Sequence, residues 1–353
     1  MKRRLLLVLL ALPTLAVFGF LGLFVASALP RMWLKAAGAR WHVLETPVQE
    51  SLRAMWSASA DDRWLVGDRG TIVRRTSAGW SQVPSGVRAD LAAVWGSGPN
   101  DVWFAGGGCV LPKRDEPPCE PSVLLRWDGQ ALRRVETPAA LPFNSVAGNA
   151  PDDVWFGARL YPQRVILHWD GSTLATRAVP GNDGGSLTAL VPAGGGRLWL
   201  VSETCVRAWN GTAWAAIGRA YESSTCGEPG DAPAPLVGLR SSYAGAAKYG
   251  DGFVLYTSQP FGLAVALRAW NGTAWTGTGR CEYDGLQRAA GGWTAPDGTF
   301  WTILNDLGDV YRWRAGQPCE RVARLPIVPT GMGGLGTPWV LGTRGRVLAA
   351  GLD

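Results

Sequence analysis

An all-β fold, a seven-bladed β-propeller closed by its own N-terminal strand, is predicted by three observations. A twelve-residue spacing from an apolar residue to a Trp recurs along the chain. A Trp-Asp-Gly or Trp-Asn-Gly signal follows several copies. The two ends of the repeat array complete one another. Repeats of roughly 40–50 residues that each encode four short antiparallel strands describe propeller blades.

The spacing runs from Leu52 to Trp64, Leu91 to Trp103, Phe143 to Trp155, Leu187 to Trp199, Ala289 to Trp301 and Ile327 to Trp339. A longer, less regular copy is expected around Leu236 to Phe253. The second signal reads Trp127-Asp-Gly129, Trp169-Asp-Gly171, Trp209-Asn-Gly211 and Trp270-Asn-Gly272, with Trp313-Arg-Ala-Gly316 as a longer variant. Such dipeptides between apolar runs predict tight hairpins, because Gly and Asn accept positive φ. Each copy therefore reads as strand, turn, Trp-bearing strand, loop, strand, hairpin, strand.

The first repeat is preceded by His42-Val-Leu-Glu-Thr-Pro47, which is similar to the outer-strand segment Arg133-Arg-Val-Glu-Thr-Pro138. The last ends at Leu341-Gly-Thr-Arg-Gly-Arg-Val-Leu348, similar to Val66-Gly-Asp-Arg-Gly-Thr-Ile-Val73, with no outer strand after it. Pairing the spare strand with the incomplete blade closes the ring and removes sheet edges that would otherwise recruit other chains.

Composition agrees. A chain with 18% charged residues, 47 Gly and 19 Trp is neither disordered nor a coiled coil. The net charge of +6 comes from six basic residues before Trp41, where no acid occurs, so the body is formally neutral. It lacks the basic footprint of a nucleic-acid binder.

Leu5 to Leu29 is 25 residues without a charge. A helix of that length reaches roughly 38 Å, enough to cross a bilayer core with tilt. Residues 1–30 are expected to form a transmembrane signal-anchor helix. The alternative is a signal peptide cleaved after Ala26-Ser27-Ala28. Residues 31–40 are a linker and 41–353 the propeller. Lys2-Arg3-Arg4 should stay cytoplasmic, placing the body outside the cytoplasm of a bacterial envelope, or secreting it if the signal is cleaved. The even cysteine count fits export, and the expected pairs are Cys109–Cys119, Cys205–Cys226 and Cys281–Cys319.

The layout resembles secreted bacterial propeller-repeat proteins whose blades carry Val-Trp-Gly-Ser-x-Pro-Asn-Asp-Val-Trp and Trp-Asp-Gly. The matching residues here are Val94-Trp-Gly-Ser97, Asn100-Asp-Val-Trp103 and Trp127-Asp-Gly129. The resemblance covers residues 41–351 and is distantly similar to Asp-box and kelch repeats. It implies a fold rather than an activity, since propellers host unrelated functions.

Candidate chemistry is sparse. Seventeen of the 19 Trp are periodic, which predicts packing between blades rather than sugar stacking. His42 and His168 occupy strand positions, so no metal site, cofactor or catalytic His is expected. Asp62, Asp101 and Asp153 recur at a turn and are read as turn formers. Channel-facing positions such as Ala54, Ala93, Ser145, Ala189 and Gly291 are small, and no catalytic constellation surrounds them.

Insertions fall in the blade crossings and in the loops between second and third strands, which emerge on one face. That face is the expected binding face. Its candidates are Lys113, Arg114, Arg159, Tyr161, Arg164, Glu203, Tyr221, Glu222, Tyr243 and Tyr249, with Asp115, Glu116 and Lys248 beside them. The expected function is a non-catalytic binding or scaffolding module with an envelope protein or glycan as partner. The alternative is a glycan-directed hydrolase or lyase with a site at the channel mouth.

Overall fold

The computed structural model describes residues 35–36, 39–108, 119–138, 141–158, 165–179, 186–222, 226, 237, 243–257, 264–282, 289–304 and 308–351. Ala36–Asp353 forms one compact unit, and Met1–Lys35 another. The expected helix over 1–30 lies outside the described residues. Among the described residues no helix is long and apolar enough to cross a membrane.

Seven antiparallel sheets follow one another around a ring. Blade one comprises Leu52–Ser59, Asp62–Gly67, Ile72–Thr76 and Gly79–Gln82, from the inside out. The inner strands of blades two to six are Leu91–Gly98, Phe143–Ala150, Leu187–Gly194, Tyr243–Tyr249 and Ala289–Thr294, each starting a four-stranded sheet. In blade seven, Pro329–Leu335, Thr337–Gly342 and Val347–Gly351 are completed by Ala39–Leu44 from the other end of the chain. That closing strand pairs antiparallel with the last one, Arg40 opposite Gly351 and Leu44 opposite Val347. Trp41 at its centre is 5% exposed and sits in a core with Ile303, Val310 and Val340, so the latch is apolar as well as hydrogen-bonded.

Burial follows position. The second strands read as continuous apolar runs such as Val102-Trp-Phe-Ala-Gly106 and are buried on both faces. They lie between neighbouring blades, as in any sheet covered on both sides. Outer strands such as Leu174–Ala178 are mostly exposed. The core is therefore a ring of inter-blade layers. In one layer Trp64 of blade one meets Phe104 and Trp127 of blade two; in the next, Trp103 meets Phe156 and Trp169 of blade three. The periodic Trp of the sequence build these layers.

A β-bulge recurs after the first residue of every inner strand, at Arg53, Ala92, Asn144, Thr188, Ala244, Ala290 and Thr330. A bulge re-aims one side chain out of the strand's alternation. Asn144 Nδ2 donates to the Leu187 carbonyl of the next blade at 2.8 Å. Thr330 Oγ1 donates to the Leu52 carbonyl of blade one, across the closing seam.

Two repeat registers differ from expectation. The fifth inner strand begins at Tyr243, not near Leu236, and Val254 rather than a Trp holds the second-strand slot. In the seventh copy the strand begins at Pro329, because a one-residue turn at Gly336 (φ 84°) replaces the longer turn of the other blades. Ile327 belongs to the crossing before that strand and is buried in the core.

Candidate functional site

The crossings and the loops after the second strands gather on one face, and the hairpins on the other. In blade four this follows directly from the local sequence. The second strand ends at Ser202, and the third begins at Cys205 after a two-residue loop. Ser202 Oγ accepts from the Cys205 amide at 3.1 Å, which fixes the corner. The outer strand Trp214–Arg219 then leads into the long crossing, and Cys226 in that crossing is bonded to Cys205. A further anchor is the Val237 amide, which donates to the Arg219 carbonyl at 3.1 Å.

Glu203, Tyr221 and Glu222 stand around this braced corner. The Glu203 carbonyl accepts from the Tyr243 amide at 2.7 Å and so ties blade four to blade five. The Arg219 guanidinium donates to the carbonyls of Tyr221 and Glu222. Glu222 is exposed, while Glu203 and Tyr221 are half-buried. These three expected residues are brought together.

Tyr243 and Tyr249 are not loop residues, contrary to expectation. Tyr243 starts the inner strand of blade five and is 1% exposed, and burial pushes its phenol well above the usual tyrosine range, aided by nearby Tyr221. Tyr249 ends the same strand, on the hairpin face, where its hydroxyl accepts from the Ala315 amide at 3.2 Å. Lys248 lies there too, its Nζ donating to the Pro192 carbonyl at 2.9 Å. The cause is the register of the fifth copy: seven residues read as loop are inner strand. Lys113, Arg114, Asp115, Glu116, Arg159, Tyr161, Arg164 and Cys109 lie outside the described residues. Cys119 is disulfide-bonded.

The second described disulfide, Cys281–Cys319, joins the outer strand of blade five to the residue preceding that of blade six. It staples blades rather than a loop. Both bonds suit an oxidising compartment.

One charged cluster on the loop side was not singled out from the sequence. Arg53, at the bulge of blade one, donates Nε to Asp68 and reaches Asp90 Oδ2 at 3.4 Å. The Asp90 Oδ1 atom accepts the Arg69 amide at 3.0 Å. Arg69 has a φ of 57°, and Arg344, its counterpart in blade seven, a φ of 56°. The similarity of Val66–Val73 to Leu341–Leu348 was the available signal for this shared turn.

The recurring Asp residues do more than form turns. Asp62 holds Arg74 through two bonds of 2.8 and 2.9 Å, Asp101 holds Arg126 at 2.7 Å, and Asp153 holds His168 at 2.8 Å. Each partner then covers a buried Trp of its own blade: Arg74 lies 4.6 Å from the Trp64 centroid, Arg126 4.9 Å from Trp103, and His168 stacks 3.9 Å from Trp155. A carboxylate engaged in this way is structural. Among the described residues, no three His, Cys, Asp or Glu side chains are grouped to hold a metal ion.

No known protein family and no curated protein sequence matches the chain. Solved structures do match over nearly its whole length. YCF48 bound to D1 peptide superposes with a TM-score of 0.60 at 16% identity, over 89% of this chain and 97% of that one. Virginiamycin B lyase from Staphylococcus aureus gives 0.66 at 11% identity, over 89% and 100%. The WD40 repeats of RRP9 give 0.65 at 11% identity, over 91% and 99%. At these identities the likeness is one of fold, and the chain is a seven-bladed β-propeller.

Proposed function

We propose that this propeller is a non-catalytic binding or scaffolding module of the cell envelope that engages a protein or glycan partner with its loop-bearing face. The observation that carries this reading is the disulfide-braced corner of blade four, where Cys205–Cys226 holds Glu203, Tyr221 and Glu222 on one side of the ring. Bracing a loop lowers the ordering cost of binding through it.

The closing strand starts at Ala39 on the hairpin side and ends at Leu44 on the loop side, because Leu44 faces Val347 just beyond a second-to-third-strand loop. YCF48 with its peptide is an example of a propeller of similar fold that takes a polypeptide ligand. The hydrolase alternative lacks an observation to carry it: Arg53, the described cation at the inner rim, is engaged by two acids.

The test is affinity capture from envelope extract with the tagged full chain and with a Glu203→Ala/Tyr221→Ala/Glu222→Ala variant. The reading expects a partner retained by the wild type and lost or reduced at least tenfold by the variant. Equal capture of every partner by both overturns it.

A further inference from the structure

The seam between blades seven and one departs from the rest of the ring. In blades two to six the second-strand residue just before the Trp slot pairs with a third-strand Trp: Val102 with Trp127, Val154 with Trp169, Leu198 with Trp209, Phe253 with Trp270 and Phe300 with Trp313. In blade one the same pair is Arg63 opposite Arg75. Like charges directly opposed across a strand pair repel, and the repeat shows that an apolar pair fits this site.

Both cations lie against aromatic rings. Arg63 is 4.3 Å and Arg75 5.3 Å from the Trp339 centroid, and Arg75 is also 5.6 Å from Trp80. Such faces attract a guanidinium without neutralising it. Arg63 is 5% exposed; it donates Nε to the Ala60 carbonyl at 3.1 Å and Nη1 to Ser57 Oγ at 3.2 Å. Among the described residues neither Arg63 nor Arg75 has a carboxylate within ion-pair distance. Asp61, exposed on the adjoining turn, acts on Arg63 only from farther off. Arg74, Arg126, Arg312 and Arg324, on third and outer strands, each hold a carboxylate at 2.9 Å or less. Burial and the neighbouring Arg75 lower the affinity of Arg63 for its proton, as expected of a cation short of counter-charge.

We propose that Arg63 and Arg75, backed by Trp80 and Trp339, form an oxyanion-binding site on the hairpin side of the closing seam, taking a carboxylate or phosphate group. The arginine fork suits either geometry, and the rings exclude water behind it. Because the two arginines belong to blade one and Trp339 to blade seven, bound anion would stabilise the contact of these blades across the closing seam. The site is separate from the loop-bearing face, so the two readings stand or fall independently.

The experiment is thermal unfolding of the detergent-solubilised full chain in inorganic phosphate, in succinate and in sodium chloride of equal ionic strength. Variants are Arg75→Trp, which restores the residue of the other blades, and Arg75→Gln. The wild type should gain about 2 °C or more over chloride in at least one anion at millimolar concentration. A gain in phosphate alone assigns a phosphate ligand, and in succinate alone a carboxylate one. Both variants should unfold cooperatively in chloride and lose the gain. No gain over chloride, or an equal gain in wild type and both variants, overturns the site. A dose-dependent change in tryptophan emission from Trp80 and Trp339, absent in Arg75→Gln, is the second readout.

Discussion

The indole of Trp95, in the second inner strand, lies across Gly148 in the third: a Cβ at position 148 would stand 2.4 Å from Trp95 Cη2. The same relationship joins Trp56 to Gly96, at 2.7 Å, and Trp293 to Gly334, at 3.1 Å. Neighbouring blades thus interlock near the axis, an aromatic ring from one filling the space a side chain would take in the next. Gly148→Ala should lower stability by about 1–3 kcal/mol through overpacking. Thermal unfolding of the variant checks this, and Trp95→Leu combined with Gly148→Ala should recover part of the loss, since the two sites share one contact.

Ring closure makes a second prediction. Trp41 belongs to the strand that completes blade seven and is buried in its core. Trp41→Ala should cost about 3–5 kcal/mol, the usual range for a truncated core aromatic. It should also raise hydrogen exchange first in Val347–Gly351, the strand it leaves without support. Uniform exchange across all blades would count against the latch.

The braced corner gives a third. Removing the Cys205–Cys226 bond with paired Ala substitutions should lower stability by about 2–4 kcal/mol, since the cross-link restrains the unfolded chain over a separation of 21 residues. Limited proteolysis should then cut within 219–235 faster than in the wild type. An unchanged cleavage pattern would remove the bracing role.

The hairpins give a fourth, in pH. Asp170 accepts backbone and hydroxyl bonds from Thr173 and Ser172, which hold its carboxyl well below the usual carboxylate range. A depressed folded pKa means the contribution is fully present above the unfolded value, about 3.9, and fades as pH falls below it. Asn210 and Asn271 accept three of these four turn bonds in blades four and five without a titrating group; the bond from the Thr173 hydroxyl has no counterpart there, since Ala213 and Ala274 stand in its place. Asp170→Asn should therefore lower the midpoint at pH 7 only slightly, through the Thr173 hydroxyl bond, and reduce its fall between about pH 4 and pH 2. A large loss at neutral pH would show that charge, rather than turn geometry, matters at that hairpin.

Repeat count and the exchange of strands between the two ends were legible in the sequence, because they rest on patterns that a β-strand's alternation and a tight turn's φ impose locally; the expected pairs Cys205–Cys226 and Cys281–Cys319 are also formed. The fifth inner strand was misread because its cue, a Trp, is replaced by Val254, and interior packing accepts either. Local spacing also misled about Tyr243 and Tyr249, which one strand sends to opposite faces of the ring.

What only the tertiary structure decided are relationships between blades. That Asp62, Asp101 and Asp153 each hold an Arg or His side chain against a Trp depends on the third strand lying beside the second, many residues on. That Arg63 and Arg75, paired within blade one, both lie against Trp339 of blade seven depends on closure of the whole ring. Periodicity reports which side of a strand a residue occupies. Which charge, ring or carbonyl waits on that side is set by a neighbour distant in sequence, and only the folded ring brings the two together.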